Sequence, residues 1–473
     1  MEAPSPYALN RRTFLSQAGF GLGAAALHAL ASNEAQGSNA SLAQKKIQHH
    51  TAKAKRVIFL CMAGGPSHLE TFDYKPDLDR LDGKPMPDSF TAGQPIAQLQ
   101  GQKLKVQGHL TRFQNYGQSG QEISDFLPWH AKMADKICVL RSMHTEQINH
   151  DPAHTFMNTG TPISGRPSMG AWINYGLGSE SKSLPGFVVL SSVGGRNPQP
   201  IASRQWGAGF LPGQFQGVEL SSSGEPAYYV RNPHGVTRHQ QRRLVETLSH
   251  LNRHRNQIEA NQDIEARIAA YEMAFQMQSS VPELMDISDE SQETLAMYGA
   301  NPGDGSYASN CLLARRLIER GVRFVQLYHR GWDHHGDLVK YMDICCGLTD
   351  RPTWALVTDL ERRGLLDDTL IVWGGEFGRT PMFQGKGGPG RDHHIKGFSM
   401  WLAGGGIKGG LTYGATDELG YHAVENTVHV RDLHATMLYL LGLDNQRLSV
   451  PYQGLDMRLT GVEPANVIYP ILA

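Results

Sequence analysis

Two stretches of the sequence carry Asp-His-His. "WDHHGD" holds Asp333, His334, His335 and Asp337, and "GRDHH" holds Asp392, His393 and His394. Imidazoles and carboxylates together form a mixed nitrogen and oxygen donor set, which suits a divalent cation. Side chains alternate on an extended chain, so Asp333 and His335 face the same way and can grip one ion. A further carboxylate, Glu376, stands in "LIVWGGEFGRTP", where an apolar run stops at Gly374 and Gly375. His144, His150 and His154 follow one another closely, and His150 and His154 share a face if their segment is helical. They suit a general acid or a nucleophile, or equally a helix cap or a core hydrogen bond. Either Asp-His-His run alone reads best as a surface cluster; two of them beside strand ends favour a metal.

These residues sit at the mouths of apolar runs. "RVIFLCMAGG" (56–65), Ile137–Leu140, "PGFVVLSS" (185–192), "VRFVQLYH" (322–329), "DDTLIVWGG" (367–375) and "FSMWLAGG" (398–405) have the unbroken hydrophobicity of buried strands. Segments of helical pattern lie between them, such as 125–136, "SNCLLARRLIERG", "TWALVTDLERRGLL" and "DLHATMLYLLGL". Alternating strands and helices predict a mostly parallel sheet covered on both faces, with ligands bound at the strands' carboxyl ends. Residues 193–235 have no period and read as a long loop. Residues from 237 to about 300 read as a helical insertion, with Leu244, Leu248 and Leu251 on a mostly charged helix.

The bulk numbers exclude several classes. The 473 residues carry 44 basic and 45 acidic side chains, a net charge of −1, so no global field attracts nucleic acid or an anionic membrane. Five Cys without regular spacing argue against a disulfide framework. There is no GxSxG elbow, no phosphate loop and no transmembrane run, and "AGGPSH" (63–68) is not GxGxxG. "NRRTFLSQAGFGLGAAALHALA" has paired Arg11 and Arg12 before Phe14, Leu15 and a weakly apolar run. It resembles a twin-arginine export leader, expected over residues 1–31, with a polar linker over 32–54 and one large domain over 55–473. The expected location is periplasmic or extracellular.

The chain resembles the bacterial family catalogued as Domain of Unknown Function 1501. The likeness lies in "MAGGPSHLETFDYKP", "GTPISGRPSMGAWI", "DDTLIVWGGEFGRTP", "GRDHHIKGFSMWLAGGGIKGG" and "VRDLHATMLYLLG", and spans nearly all of 55–460. The order of these clusters also resembles the alkaline phosphatase and sulfatase superfamily. "MADKICVLRSMHT" through "MNTG" is similar to the helix, strand and nucleophile loop of sulfatases, and "TLIVWGGEFG" to their strand ending in Asp-His-Gly. "DHHIKGF" is similar to the Asp-His-Thr that carries a metal His in the phosphomutase branch. The resemblance implies an α/β fold of that type, with helices on both faces of a mostly parallel sheet and a helical insertion.

The chain departs from the superfamily pattern in three places. Gly64 and Gly65 replace an Asp pair, with His68 and Asp73 further on; about His150 stands at the nucleophile position; Phe377, which cannot ligate, replaces a metal His. The two-metal centre is therefore incomplete. The expectation is one divalent cation (Zn, Mn, Fe or Ca) on Asp333, His335 and His393, with Glu376 and Asp392 as further ligands. The expected activity is an exported, metal-assisted hydrolysis of a small-molecule or glycan ester of sulfate or phosphate. His150 would act as nucleophile or general acid with His154, while Arg379, His68 and His144 would hold the anion; Arg379 equally reads as a brace for Glu376. The rival is a non-catalytic binding or assembly protein that keeps the fold without the full metal centre.

Overall fold

A computed structural model of the chain describes residues 47–195, 198–226, 235–259, 262–385 and 387–473. The leader expected over 1–31, and the linker up to residue 46, lie outside the described residues. A nine-stranded sheet organises the chain. Its strands are β1 (Arg56–Ala63), β2 (Ile137–His144), β3 (Phe187–Ser191), β4 (Val218–Leu220), β5 (Phe324–Arg330), β6 (Thr369–Gly374), β7 (Phe398–Ala403), β8 (Leu411–Tyr413) and β9 (Val428–His429). The spatial order is β8-β2-β7-β6-β1-β5-β3-β4, with β9 also on β2. All pairings are parallel except those of β7, which runs antiparallel to β2 and β6.

The central strands are buried from end to end because both faces are covered. Ile58, Leu60 and Met62 of β1 enter one apolar cluster, and Val57, Phe59 and Cys61 enter another. The first cluster is closed by α6 (Tyr307–Glu319) and α7 (Leu338–Arg362), the second by α1 (His150–Thr159), α2 (Met169–Leu177) and α8 (Val430–Leu440). Helix starts follow local chemistry: Ser168 and Ser306 accept the capping hydrogen bonds of α2 and α6, and His429 with Asp432 forms a capping box on α8. Helices α3 (Arg238–Glu259), α4 (Gln262–Met285) and α5 (Gln292–Tyr298) occupy the stretch read as an insertion.

Three expectations differ from the structure. Residues 125–136 form only short turns, Pro128–Ala131 and Ala134–Lys136, since Pro128 can start a turn but the segment is too short to extend it. The 193–235 stretch contains the edge strand β4, whose three residues are too few to show a period. The strand β7 is antiparallel because the described residues of 375–397 hold no crossover helix, only two-residue strands. Among the described residues, no helix is long and apolar enough to cross a membrane.

Candidate metal centre

The carboxyl ends of β1, β5 and β6 lie side by side in the sheet centre. β7 enters at the same rim, with Phe398 opposite Met143 near the end of β2. The loops that carry the Asp-His-His runs and Glu376 therefore meet over one edge. Asp333 and His335 follow β5, Glu376 follows β6, His150 opens α1 and His393 precedes β7. A short ribbon pairs His393 with Arg379 and His394 with Gly378.

One carboxylate oxygen is the focus. Asp333 Oδ1 lies 2.9 Å from His335 Nε2, 3.2 Å from His393 Nε2, 3.2 Å from His150 Nε2 and 2.7 Å from an Arg379 Nη atom. The opposite nitrogen of each ring is tied back. His393 Nδ1 donates to the Ile148 carbonyl at 2.9 Å, His335 Nδ1 to Gln384 Oε1 at 2.6 Å, and His150 Nδ1 to Glu376 Oε1 at 2.6 Å. A carbonyl or a carboxylate only accepts, so all three Nδ1 atoms carry protons, and each ring, when neutral, presents its Nε2 lone pair. Three Nε2 atoms and a carboxylate oxygen then face one another, with His335 Nε2 only 3.0 Å from His393 Nε2. Lone pairs at that separation repel unless a proton or a cation lies among them. His150, Asp333 and His393 have the spacing to hold an ion, as do His150, His154 and Glu376.

Burial and charge agree with this division of labour. Burial resists the charge on Asp333, but Arg379 and the surrounding imidazoles outweigh it and hold the carboxyl far below its usual range. Burial likewise opposes charge on Glu376, yet His154 and His150 pull its pKa down to about 2. Burial pushes His393 down to about 4. His150 is raised: burial disfavours its proton, and the contacts with Asp333 and Glu376 outweigh burial.

The structure separates the predicted residues by role. Glu376 is 1% exposed, and its two oxygens accept from Gly64 N at 3.1 Å each. It touches His150 Nδ1 and, at 3.4 Å, His154 Nε2, so it stands on the side of His150 opposite Asp333. Asp392, expected as a ligand, is engaged by backbone N–H groups: Oδ2 accepts from Gln98 N at 2.7 Å and Leu99 N at 2.8 Å, and Oδ1 from His393 N. His150, expected as nucleophile or acid, has Nδ1 on Glu376 and Nε2 beside Asp333, within the cluster around that carboxylate. His154 is wholly buried, burial keeps its pKa below the usual value, and its Nε2 stands 3.4 Å from Glu376.

Arg379, expected to hold the anion or to brace Glu376, braces Asp333. Its remaining donors go to the Gly64, Gly65, Trp332 and Arg391 carbonyls. His68 is buried and donates to the Gly420 carbonyl, and His144 packs against His429 at 4.9 Å; neither joins the cluster. His334 points the other way from its neighbours, to the Gly331 carbonyl. Sequence reasoning missed Gln384, Gln98 and the Ile148 carbonyl, which no motif signals.

Two further features hold the loops. Gly64 has φ +125°, and a Cβ there would stand 2.5 Å from Asp333 N, so the β1 and β5 loops touch through a residue without a side chain. Arg391 and Glu70, both fully buried, pair at 2.7 Å, and Arg391 also donates to the Gln107, Gly108 and Thr380 carbonyls. A separate cavity of about 770 Å³ opens at the ends of β3, β4 and β5, lined by Ser191, Ser192, Glu219, Ser221 and Arg330 among others; none of the clustered imidazoles lines it.

A family model described as "Protein of unknown function (DUF1501)" matches residues 54–472. No curated protein matches the chain. Among solved structures it is similar to the lipoteichoic acid synthase LtaP from Listeria monocytogenes, at 9% identity and TM-score 0.36, covering 92% of this chain and 80% of that one. It is similar to the PsFucS1 sulfatase from Pseudoalteromonas sp., at 11% identity and TM-score 0.34, covering 94% and 76%. A protein in the alkaline phosphatase superfamily from Vibrio parahaemolyticus matches at 11% identity and TM-score 0.34, covering 89% and 75%.

Proposed function

The chain belongs to the DUF1501 family of proteins of unknown function, and from that premise we propose that it is an exported, metal-assisted hydrolase of sulfate or phosphate esters. The observation that carries this reading is the convergence of His150, His335 and His393 Nε2 on Asp333 Oδ1, each ring anchored through Nδ1. Anchored Nδ1 atoms and converging Nε2 atoms are how proteins prepare histidines for a metal. The donor set of three nitrogens and one oxygen favours Zn, Fe or Mn over Ca, which prefers oxygen.

His150, His335, His393 and Asp333 would hold the ion. A divalent cation there would polarise an ester oxygen and lower the pKa of a water molecule. Glu376 fixes the tautomer and tilt of His150, with Gly64 N and His154 fixing Glu376 in turn. Arg379 keeps Asp333 ionised and aimed at the rings. His150 gives up the proton that the two carboxylates otherwise favour on it, so loading releases a proton. The centre is partly open, with the Asp333 side chain 18% and the His150 side chain 14% exposed, which leaves an approach for a substrate.

The test begins with elemental analysis of protein purified through its export route. The expected result is near one transition-metal ion per chain, lost in His393→Ala and His335→Ala, with metal-dependent hydrolysis of p-nitrophenyl sulfate or p-nitrophenyl phosphate. Absence of metal in the wild-type protein, or hydrolysis that survives both substitutions, would overturn the reading.

A further inference from the structure

We propose that Phe377 is a positioning residue of the metal centre: its ring is wedged against His150 and His393, fixes the planes of both imidazoles, and so aims two nitrogens at one point. This rests on the metal centre of the reading above and deepens it, since the orientation of the ligands is assigned to a side chain that cannot itself ligate.

A hydrogen bond at Nδ1 holds one point of an imidazole. It leaves the ring free to swing about the line from Nδ1 to its acceptor, and each swing carries Nε2 off target. His150 has Glu376 at Nδ1, and His393 has the Ile148 carbonyl. A second contact is needed to fix each plane, and one ring supplies it to both. The Phe377 centroid lies 4.9 Å from that of His150 and 4.8 Å from that of His393. Its plane is tilted 34° to the first and 37° to the second, while the two imidazoles, 4.3 Å apart, stand at 71° to one another. The two tilts together make up the angle between the imidazoles, so the phenyl plane lies between theirs. With the planes set in this way, both Nε2 atoms stand 3.2 Å from Asp333 Oδ1.

The wedge is itself held. Phe377 is fully buried and packs with Ala153, Ile395 and Ile148. Ala153 follows His150 by three positions on α1, Ile395 follows His393 by two, and Ile148 carries the carbonyl that takes the His393 proton. The segments that deliver the imidazoles therefore also grip the phenyl ring. Room for that ring comes from Gly65, at φ +72°, where a Cβ would stand 2.7 Å from Phe377 Cδ2. The ring has no lone pair to offer, so its contribution to the centre is shape alone, and it holds the imidazoles without competing for the ion.

The experiment uses the full exported chain, stripped with a chelator and reloaded with zinc, or with cobalt for its absorption spectrum. Zinc affinity is read by competition with a chelator of known affinity. Phe377→Ala is expected to bind zinc roughly 10- to 100-fold more weakly, as when an orienting partner of a metal-bound imidazole is lost, and to shift the cobalt bands. Phe377→Leu refills most of the apolar space but is not flat. It is expected to recover most of the melting temperature lost in Phe377→Ala, yet to stay roughly tenfold weaker than wild type for zinc. It also carries the test if Phe377→Ala does not fold. Wild-type affinity and wild-type cobalt bands in Phe377→Leu overturn the proposal, because any apolar filler would then serve. Unchanged zinc affinity in Phe377→Ala overturns it too. A wild-type chain that takes up no metal overturns the hydrolase reading itself, and that result is seen before any variant is compared.

Discussion

Replacing Glu376 by Gln tests the centre at its most buried point. The substitution keeps the shape and removes one charge and one acceptor. The carboxylate now accepts from His150 Nδ1 at 2.6 Å and from Gly64 N at 3.1 Å to both oxygens. An amide turned to serve His150 presents its NH₂ toward Gly64 N, and the flipped amide serves Gly64 but faces His150 with a donor. Glu376 is held at a pKa of about 2 against an ordinary 4.5. At about 1.4 kcal/mol per unit, its charged form gains about 3 kcal/mol from its surroundings, most of it shared with His150 and His154. Only part of that gain reaches the metal, because Glu376 acts through the ring. The expected loss in zinc affinity is about 10- to 100-fold, the usual cost of removing an orienting carboxylate. Competition with a chelator of known affinity at pH 7 measures it, with His393→Ala as the reference for loss of a true ligand. An affinity equal to wild type would refute the orienting role. A loss as complete as that of His393→Ala would refute it differently, by making Glu376 a direct ligand.

Three other outcomes follow from the packing. Gly64→Ala places a Cβ 2.5 Å from Asp333 N at a positive φ, and is expected to cost more than about 2 kcal/mol in urea unfolding and to weaken metal binding as Asp333 shifts. Glu70→Gln leaves the Arg391 charge buried and is expected to cost about 3–5 kcal/mol, whereas Glu70→Leu combined with Arg391→Met costs much less; equal melting temperatures for the two variants would refute the ion-pair account. His434 is fully buried, and burial holds its pKa at about 4. The unfolded chain, with an ordinary value near 6.5, binds this proton first as pH falls, so stability is lost between pH 6.5 and 4. His434→Gln, which keeps a donor for the Met157 carbonyl, is expected to shed about 2 kcal/mol less than wild type between pH 7 and pH 5; identical slopes would refute it.

The sequence carried the sheet and most of the site's membership, but not the roles. Unbroken apolar runs marked β1, β5, β6 and β7, because strands buried on both faces have no other composition. Direction was not legible: β7 looks like its neighbours, and what reverses it is the lack of a helix before it. Asp333 and His335 share a face by extended-chain alternation alone, and they are found 2.9 Å apart in one cluster. Asp392 has the same type and the same His-His neighbours as Asp333, yet its oxygens meet backbone N–H groups from a loop nearly 300 positions earlier, which local spacing cannot foretell. His150 and Glu376 were each visible as chemistry, but the 2.6 Å contact that joins them lies between distant segments. Gln384 and Gln98 carry no charge and belong to no motif, so only their placement marks them.

The reversed strand has a consequence for how this molecule can change. The chain leaves β6 at the rim and comes back to β7 at the same rim, so residues 375–397 never pass across the sheet. Glu376, Arg379, Gln384, Arg391, Asp392 and His393 all ride on that one excursion. Its length and contents can be altered, or exchanged between family members as a cassette, without rethreading any strand, since loop closure charges little for added residues. Divergence in what such proteins bind is expected to concentrate there, and swapping the segment between two homologues is the direct way to move a specificity while leaving the scaffold in place.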